Sequence, residues 1–189
     1  MDVREAIRTR RSVGRSGGDV SDAVVRELVE AATWAPNHRL TEPWRFTILS
    51  GDARRGAGDK WGESAARERG LTGEAARAFA QAQSDKFLRA PLVIVVSCVT
   101  AEDPIVAAED HSATAAAVQN LLLEAHARGL GAMWRTGGAA YDAAVKEHLG
   151  LAQSDRIIAF VYLGAPEAPG PPPKARAVDG VIRRPTDHR

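Results

Sequence analysis

The sequence has very little of several features that mark specialised classes of protein. Its 189 residues include a single cysteine, Cys98, so no disulfide can form within the chain, and such sparing use of cysteine is typical of a reducing compartment. The 25 basic and 24 acidic residues leave a net charge of +1, which argues against a protein that coats nucleic acid or an anionic membrane. The opening residues are charged and lack the apolar stretch of a secretory signal, so we expect a cytoplasmic protein.

Long apolar runs and common binding signatures are also missing. The longest apolar run, which begins at Pro91, is far shorter than the roughly 20 residues that a membrane-spanning helix needs. No G-x-G-x-x-G follows a strand pattern, and no G-x-x-x-x-G-K-S/T is present. His111 has no second ligand four residues on, so no metal site is predicted. Cys98 lies inside an apolar strand pattern, which favours a core position over a nucleophile.

Hydrophobic periodicity predicts helices and strands in alternation. Asp2 and Ser21 are expected to cap two opening helices, and Pro36 to stop the second. Further strands are predicted at 44–48, 92–99, 130–135 and 157–163, and further helices at 74–88, 111–128 and 141–149. The helical pattern of 52–69 is weak, because glycines interrupt it. Alternation of this kind favours a parallel sheet, although the chain does not open on a strand as a Rossmann fold does.

The first cluster of residues with chemical potential is Arg10-Arg11-Ser12, at the end of the first predicted helix. An arginine fork binds phosphate through two parallel hydrogen bonds, and a serine hydroxyl adds another donor. Arg15 is near enough in sequence to reach the same ligand. The alternative is a solvated basic helix end that complements the helix dipole, and composition alone favours this alternative.

The second cluster is the loop Ala35-Pro36-Asn37-His38, which leads into Glu42-Pro43-Trp44-Arg45-Phe46. A helix stopped by proline, a polar loop and an aromatic strand opening suit the rim of a pocket. Trp34 and Trp44 can stack on a planar ring. The same residues are equally compatible with an ordinary connection that carries two half-buried tryptophans.

The third cluster is the glycine-rich stretch 129–138, GLGAMWRTGG. Glycines let the backbone approach a ligand and leave amide N–H groups free to donate, while Trp134 and Arg135 add an aromatic plate and a charge. The alternative is a plain turn between a helix and a short strand, and the residues alone do not choose between the two.

Taken in order, these clusters resemble the motifs of the nitroreductase family of flavin enzymes. They comprise R-R-S at 10–12, A-P-N-H with E-P-W-R-F at 35–46, W-R-T-G at 134–137 and Y-L-G at 162–164. The resemblance covers about residues 2–166 and is greatest to the short members that lack long helical insertions. It implies an α+β fold, with a central mixed, mainly antiparallel sheet flanked by helices, in an intertwined homodimer. The implied domain is 1–166, and a proline-rich arm, 167–189, is expected to contact the partner subunit.

The resemblance also implies roles for individual residues. Arg10–Ser12 would hold the phosphate and ribityl chain of FMN. Trp34 and His38 would reach the FMN bound mainly by the other subunit. Trp134–Thr136 would line the flavin ring, with a backbone N–H near its N5 atom.

The chain departs from the family pattern at several positions. Many relatives carry lysine where this chain has Gly14, and Arg15 is the candidate to replace that charge beside the flavin pyrimidine. Glu42 stands where glutamine is common. The basic tail has no secure counterpart in the family; its residues are Lys174, Arg176, Arg183 and Arg184.

The implied activity is that of an FMN-dependent NAD(P)H oxidoreductase. Electrons would pass from NADH or NADPH through FMN to a small acceptor, such as a nitroaromatic or a quinone, by a ping-pong mechanism. The flavin carries the chemistry, so no catalytic side chain is predicted, and no nucleic acid or membrane partner is expected. Two alternatives stay open: a flavin-storage protein on the same fold, and a small nucleic-acid-binding module that uses the N-terminal arginines. The near-neutral charge and the lack of aromatics beside those arginines count against the module.

Overall fold

The computed structural model of the chain describes residues 1–172, 174, 176–178 and 180–182. The helices are α1 (Val3–Thr9), α2 (Asp22–Thr33), α3 (Gly51–Glu68), α4 (Gly73–Ser84), α5 (Pro104–Ala127) and α6 (Ala143–His148). The strands are β1 (Ser16–Gly17), β2 (Trp44–Ser50), β3 (Leu92–Cys98), β4 (Gly131–Arg135) and β5 (Arg156–Pro166). Short 3₁₀ turns lie at His38–Leu40, Asp85–Leu88 and Gly138–Ala140.

The sheet is built around β5. Strands β3 and β4 pair with its two edges, β2 lies outside β3, and β1 pairs with the last residues of β5. All pairs of these strands are antiparallel, while one isolated parallel bridge joins Ser12 to Ala132. The mixed, mainly antiparallel sheet implied by the resemblance is therefore confirmed.

The parallel sheet favoured by the alternation of elements is wrong. Strands β2 and β3 are neighbours, and two helices, α3 and α4, connect them. A single crossover helix would return the chain to the starting end of the sheet and give parallel strands. A pair of antiparallel helices leaves the chain at the opposite end, so the second strand runs back along the first.

Hydrophobic cores cover both faces of the sheet. Val93 and Val95 of β3 point into one core, with Phe160 and α6, and Ile94 and Val96 point into the other, with α2 and α5. Every residue of β3 is buried, as its unbroken apolar sequence predicts. Cys98 belongs to this buried strand, and burial raises the pKa of its thiol. Its predicted place in the core is thus confirmed.

The ends of the helices follow local sequence signals. Asp2 and Ser21 cap α1 and α2 as predicted, and α2 ends before Pro36. Helix α5 begins earlier than predicted, because Asp103 caps it and Pro104 occupies its first turn. In the described residues, no helix combines the length and apolar character that crossing a membrane would require.

Candidate functional site

The edge of β4 brings the first and third sequence clusters together. The amide of Val13 donates to the carbonyl oxygen of Ala132 at 3.0 Å, next to the bridge between Ser12 and Ala132. Gly131 makes this approach possible, because a Cβ there would lie 2.9 Å from the Ser16 hydroxyl oxygen. The R-R-S segment therefore lies directly beside the strand that carries W-R-T-G.

The two adjacent arginines of this segment have different surroundings. The Arg11 Nη1 donates to the carbonyl oxygens of Arg8 and Arg10, at 2.8 and 2.6 Å, so this side chain caps the end of α1. Arg10 is half-buried and makes no side-chain hydrogen bond to the described part of the chain. The start of the proline-rich arm passes Arg11, since a Cβ on Gly170 would lie 2.7 Å from the Arg11 Cβ. Arg10 is thus the arginine whose guanidinium is available to a ligand.

A histidine that sequence reasoning did not single out lies at the same place. The Nε2 of His126, in the last turn of α5, is 2.8 Å from the Thr9 hydroxyl oxygen. Partial burial, together with the positive charges of Arg10 and Arg11, lowers the pKa of His126. No motif links Thr9 to His126, because they are far apart in sequence and meet only through the packing of α1 on α5. The two arginines bring positive charge to this place, and positive charge attracts an anion.

A cavity of about 410 Å³ opens on one face of β4. It is lined by residues of β4 and the turn after it, of α3, and of the end of α4 with its 3₁₀ turn, among them Met133, Arg135, Trp61, Gln83, Lys86 and Phe87. The Nε of Arg135 is buried and has no hydrogen-bond partner in the described residues. Its guanidinium carbon lies 5.8 Å from the ring centre of Tyr162. A buried donor of this kind is what a ligand with acceptor atoms would satisfy.

The W-R-T-G-G turn is shaped by its glycines. Gly137 adopts a left-handed backbone, with φ of 77°. A Cβ on Gly138 would lie 2.3 Å from the ring of Trp61, so any side chain there would displace this tryptophan. Trp134 is fixed by a 2.9 Å hydrogen bond from its indole nitrogen to the Ile158 carbonyl oxygen. Trp61, a lone aromatic residue in the glycine-interrupted helix α3, gave no sequence signal of its place in the cavity wall.

His38 lies at a different surface, against the first half of α5, and Trp34 stands four residues earlier, at the end of α2. His38 Nδ1 is 2.6 Å from the Glu109 carboxylate, and the Thr41 hydroxyl donates to Asp110 Oδ1 at 2.6 Å. These two contacts tie the A-P-N-H loop to α5. An open groove of about 930 Å³ runs between this loop and α5, and it is lined by His38 and by apolar residues of α5 such as Ile105.

The loop at this surface is strained and exposes a large aromatic ring. Arg39, Leu40 and Glu42 all have positive φ, at 58°, 54° and 44°, which is costly for residues other than glycine. Trp34 is 80% exposed, whereas Trp44, the other stacking candidate, is buried in the core. Trp34 is therefore the tryptophan of this region that can meet another molecule.

The predicted site residues thus fall into two groups along α5. Arg10–Ser12 and Trp134–Thr136 lie around β4, and the Thr9–His126 contact anchors that region near the end of the helix. His38 contacts Glu109 near its beginning. At 1.5 Å per residue, the two contacts are roughly 25 Å apart along the helix axis. Arg15 is exposed and does not line the β4 cavity.

Comparison with known proteins identifies the family. A sequence 32% identical over 169 residues, covering 88% of this chain and 86% of the relative, is the "Putative NAD(P)H nitroreductase YfhC" of Bacillus subtilis. The solved structure of a nitroreductase-like family protein from Bacillus cereus is 32% identical, covers 97% of this chain and 96% of its own, and superposes with a TM-score of 0.85. A Desulfovibrio desulfuricans structure described as "a putative nitroreductase in complex with fmn" is 28% identical, covers 98% of each chain and has a TM-score of 0.73. The sequence model of the Nitroreductase family matches residues 7–165, and the chain therefore belongs to the nitroreductase family.

Proposed function

We propose that this protein is an FMN-dependent oxidoreductase that passes electrons from NADH or NADPH to a nitroaromatic, quinone or similar acceptor. Family membership supports the general activity, and two relatives bear on its components. The Bacillus subtilis relative is named for NAD(P)H-dependent nitroreduction, and the Desulfovibrio structure is described as a complex with FMN. The observation that carries the proposal is the buried, unpartnered Arg135 Nε in a cavity on β4, the strand that the R-R-S segment adjoins.

The residues around β4 fit FMN in charge and shape. Arg10, with Ser12 next to it, would hold the phosphate, because its guanidinium has no other partner in the described residues. Arg11 would contribute its charge while it caps α1. Trp134–Thr136 would line the ring, and the unpartnered Arg135 Nε would donate to one of its acceptor atoms. Arg15, exposed one residue before β1, would approach the pyrimidine side from solvent.

FMN, when bound, supplies a relay that accepts two electrons from NAD(P)H and passes two electrons to the acceptor. The chain's own residues then have three tasks: to hold the phosphate, to orient the ring, and to leave one ring face open for donor and acceptor in turn. Use of one face by both substrates gives a ping-pong mechanism. None of these tasks requires a side-chain nucleophile, which agrees with the buried position of Cys98.

Two copies of the chain would build each FMN site. The contacts that fix the two groups on α5, Thr9–His126 and His38–Glu109, are roughly 25 Å apart along the helix, so we expect the two groups to meet at one flavin only when they come from different chains. Large apolar side chains are exposed near both groups: Val3 and Ile7 on one face of α1, Trp34 and Leu40 in the loop, and Ile105 on α5. Exposed apolar surface of this kind is typical of an interface between subunits. The arm after β5 would extend that interface.

The purified protein tests the proposal directly. We expect a yellow protein that binds about one FMN per chain and oxidises NADH or NADPH when a quinone or nitroaromatic acceptor is present. Protein that takes up no FMN on reconstitution would contradict the proposal. FMN bound without NAD(P)H turnover would instead favour the storage alternative.

A further inference from the structure

The cavity on β4 is positively charged. It is lined by two cationic side chains, Lys86 and Arg135, and by no aspartate or glutamate. We propose that Lys86 binds the anionic group of the electron acceptor, with the charge of Arg135 beside it, so that the enzyme prefers aromatic or quinonoid acceptors that carry a carboxylate or sulfonate. This inference rests on the proposed function and names the substrate class of the same site.

Neither cation has a counter-ion in the described part of the chain. The Lys86 ammonium donates to the side-chain oxygen of Gln83, a neutral group. Arg135 forms no ion pair with the described residues, its Nε is unpartnered, and its guanidinium lies near the ring of Tyr162. Both side chains are only partly exposed. Partly desolvated cations without a counter-ion gain more from an anionic ligand than fully hydrated ones do.

Tyr162 does not supply the missing negative charge. Its side chain lines the cavity, and burial raises its pKa to about 12, against the lowering effect of Arg135 and Arg89. The phenol therefore stays neutral at physiological pH. It offers Arg135 the face of an aromatic ring and leaves the positive charge of the cavity uncompensated.

The shape of the cavity favours a planar acceptor. Trp61 and Phe87 contribute aromatic surface, and Gly138 lies so close to Trp61 that the wall is set by the ring itself. Aromatic walls and the charge of Lys86 together match a ring that bears an acidic substituent.

Lys86 reaches the cavity from a different direction than the residues assigned to FMN. It lies in the 3₁₀ turn that follows α4, whereas Arg10–Ser12 and Trp134–Thr136 surround β4. The FMN phosphate already has Arg10 as its partner in the proposed function. The charge of Lys86 is therefore available to the molecule that enters after the flavin is in place.

The test compares Lys86→Met with Lys60→Met in the FMN-loaded enzyme. Lys60 is an exposed lysine of α3 that does not line this cavity, so it controls for the loss of one positive charge. The paired acceptors are 4-nitrobenzoate and 4-nitrobenzyl alcohol, which differ mainly in charge. We expect the ratio of KM for the carboxylate to KM for the alcohol to rise about tenfold or more in Lys86→Met and to stay unchanged in Lys60→Met.

A binding measurement removes the dependence on turnover. Benzoate, which is not reduced, is titrated into the oxidised FMN-loaded protein by calorimetry, and its Kd should weaken about tenfold or more in Lys86→Met alone. Equal benzoate affinities in the two variants overturn the inference. The midpoint potential of the bound flavin is measured in the same variants. If Lys86→Met leaves the benzoate affinity unchanged but lowers this potential by about 30 mV, which is a tenfold change in the equilibrium constant for flavin reduction, the charge of Lys86 serves the cofactor and the inference is overturned. A protein that takes up no FMN contradicts the proposed function instead, and benzoate binding to it remains measurable.

Discussion

Neighbouring arginines of the R-R-S segment illustrate how one motif can serve two purposes. Arg11 donates to two carbonyl oxygens at the end of α1, which is the structural role that composition alone favoured. Arg10 has no such partner in the described residues, and its charge helps to lower the pKa of His126. The structural and the ligand-binding interpretations therefore apply to different residues of the same motif.

Arg10→Ala should weaken FMN binding far more than Arg4→Ala. Arg10 is half-buried beside Ser12, whereas Arg4 lies on the exposed surface of α1. Losing a charge-assisted hydrogen bond to phosphate should cost about 1.5–3 kcal/mol, or roughly ten- to a hundredfold in Kd. Quenching of flavin fluorescence during titration of the apoprotein measures both affinities. Equal values for the two variants would remove Arg10 from the proposed site.

Sequence motifs predict the site residues around β4, but they do not predict the residues that line the cavity from α3 and from the turn after α4. R-R-S and W-R-T-G carry recognisable residue types, and the structure places them side by side. Lys86 and Trp61 belong to no motif, since their place in the cavity depends on how the α3–α4 pair packs against β4. Such tertiary contacts leave no local pattern in the sequence.

At the level of elements, helix α3 shows why a sequence pattern can understate a helix. Its glycines lower intrinsic helix propensity, and they made 52–69 a weak prediction. In the structure the helix runs unbroken from Gly51 to Glu68, and Gly58 and Gly62 face α4. Close packing of the two helices compensates for the low propensity, because tertiary contacts supply most helical stability in proteins.

Gly62→Ala should destabilise the protein although alanine is the better helix former. A Cβ at this position would lie 2.3 Å from the carbonyl oxygen of Ala80, a backbone atom that cannot move without shifting α4. We expect a loss of about 1–3 kcal/mol in the free energy of unfolding, measured by urea denaturation at fixed protein concentration.

Glu63→Ala is the matched control for this change, since Glu63 is a neighbouring exposed residue of the same helix. Its effect should stay within about 0.5 kcal/mol. An increase in stability of Gly62→Ala, by the roughly 1 kcal/mol that alanine gains over glycine in an open helix, would show that α3 and α4 do not pack this closely.

For the whole molecule, α5 sets the distance between the two groups of site residues. It contacts the A-P-N-H loop near its start and α1 near its end, and it packs against the sheet between them. The strained loop and the exposed Trp34 do not line the β4 cavity of the same chain. In the proposed function, a second copy would supply the loop that completes each site.

A mixed dimer tests the shared site. One chain carries Arg10→Ala and the other His38→Ala, and the two are separated from homodimers by different affinity tags. If each FMN contacts Arg10 of one chain and His38 of the other, one site carries both changes and the other carries neither. About half of the flavin should then bind with unaltered affinity in a titration of the mixed dimer. If each site were built within a single chain, each would carry one change, and the titration would show no flavin bound with unaltered affinity. Sedimentation gives a second check: a full-length protein that sediments as a monomer and still holds FMN would also contradict the shared site.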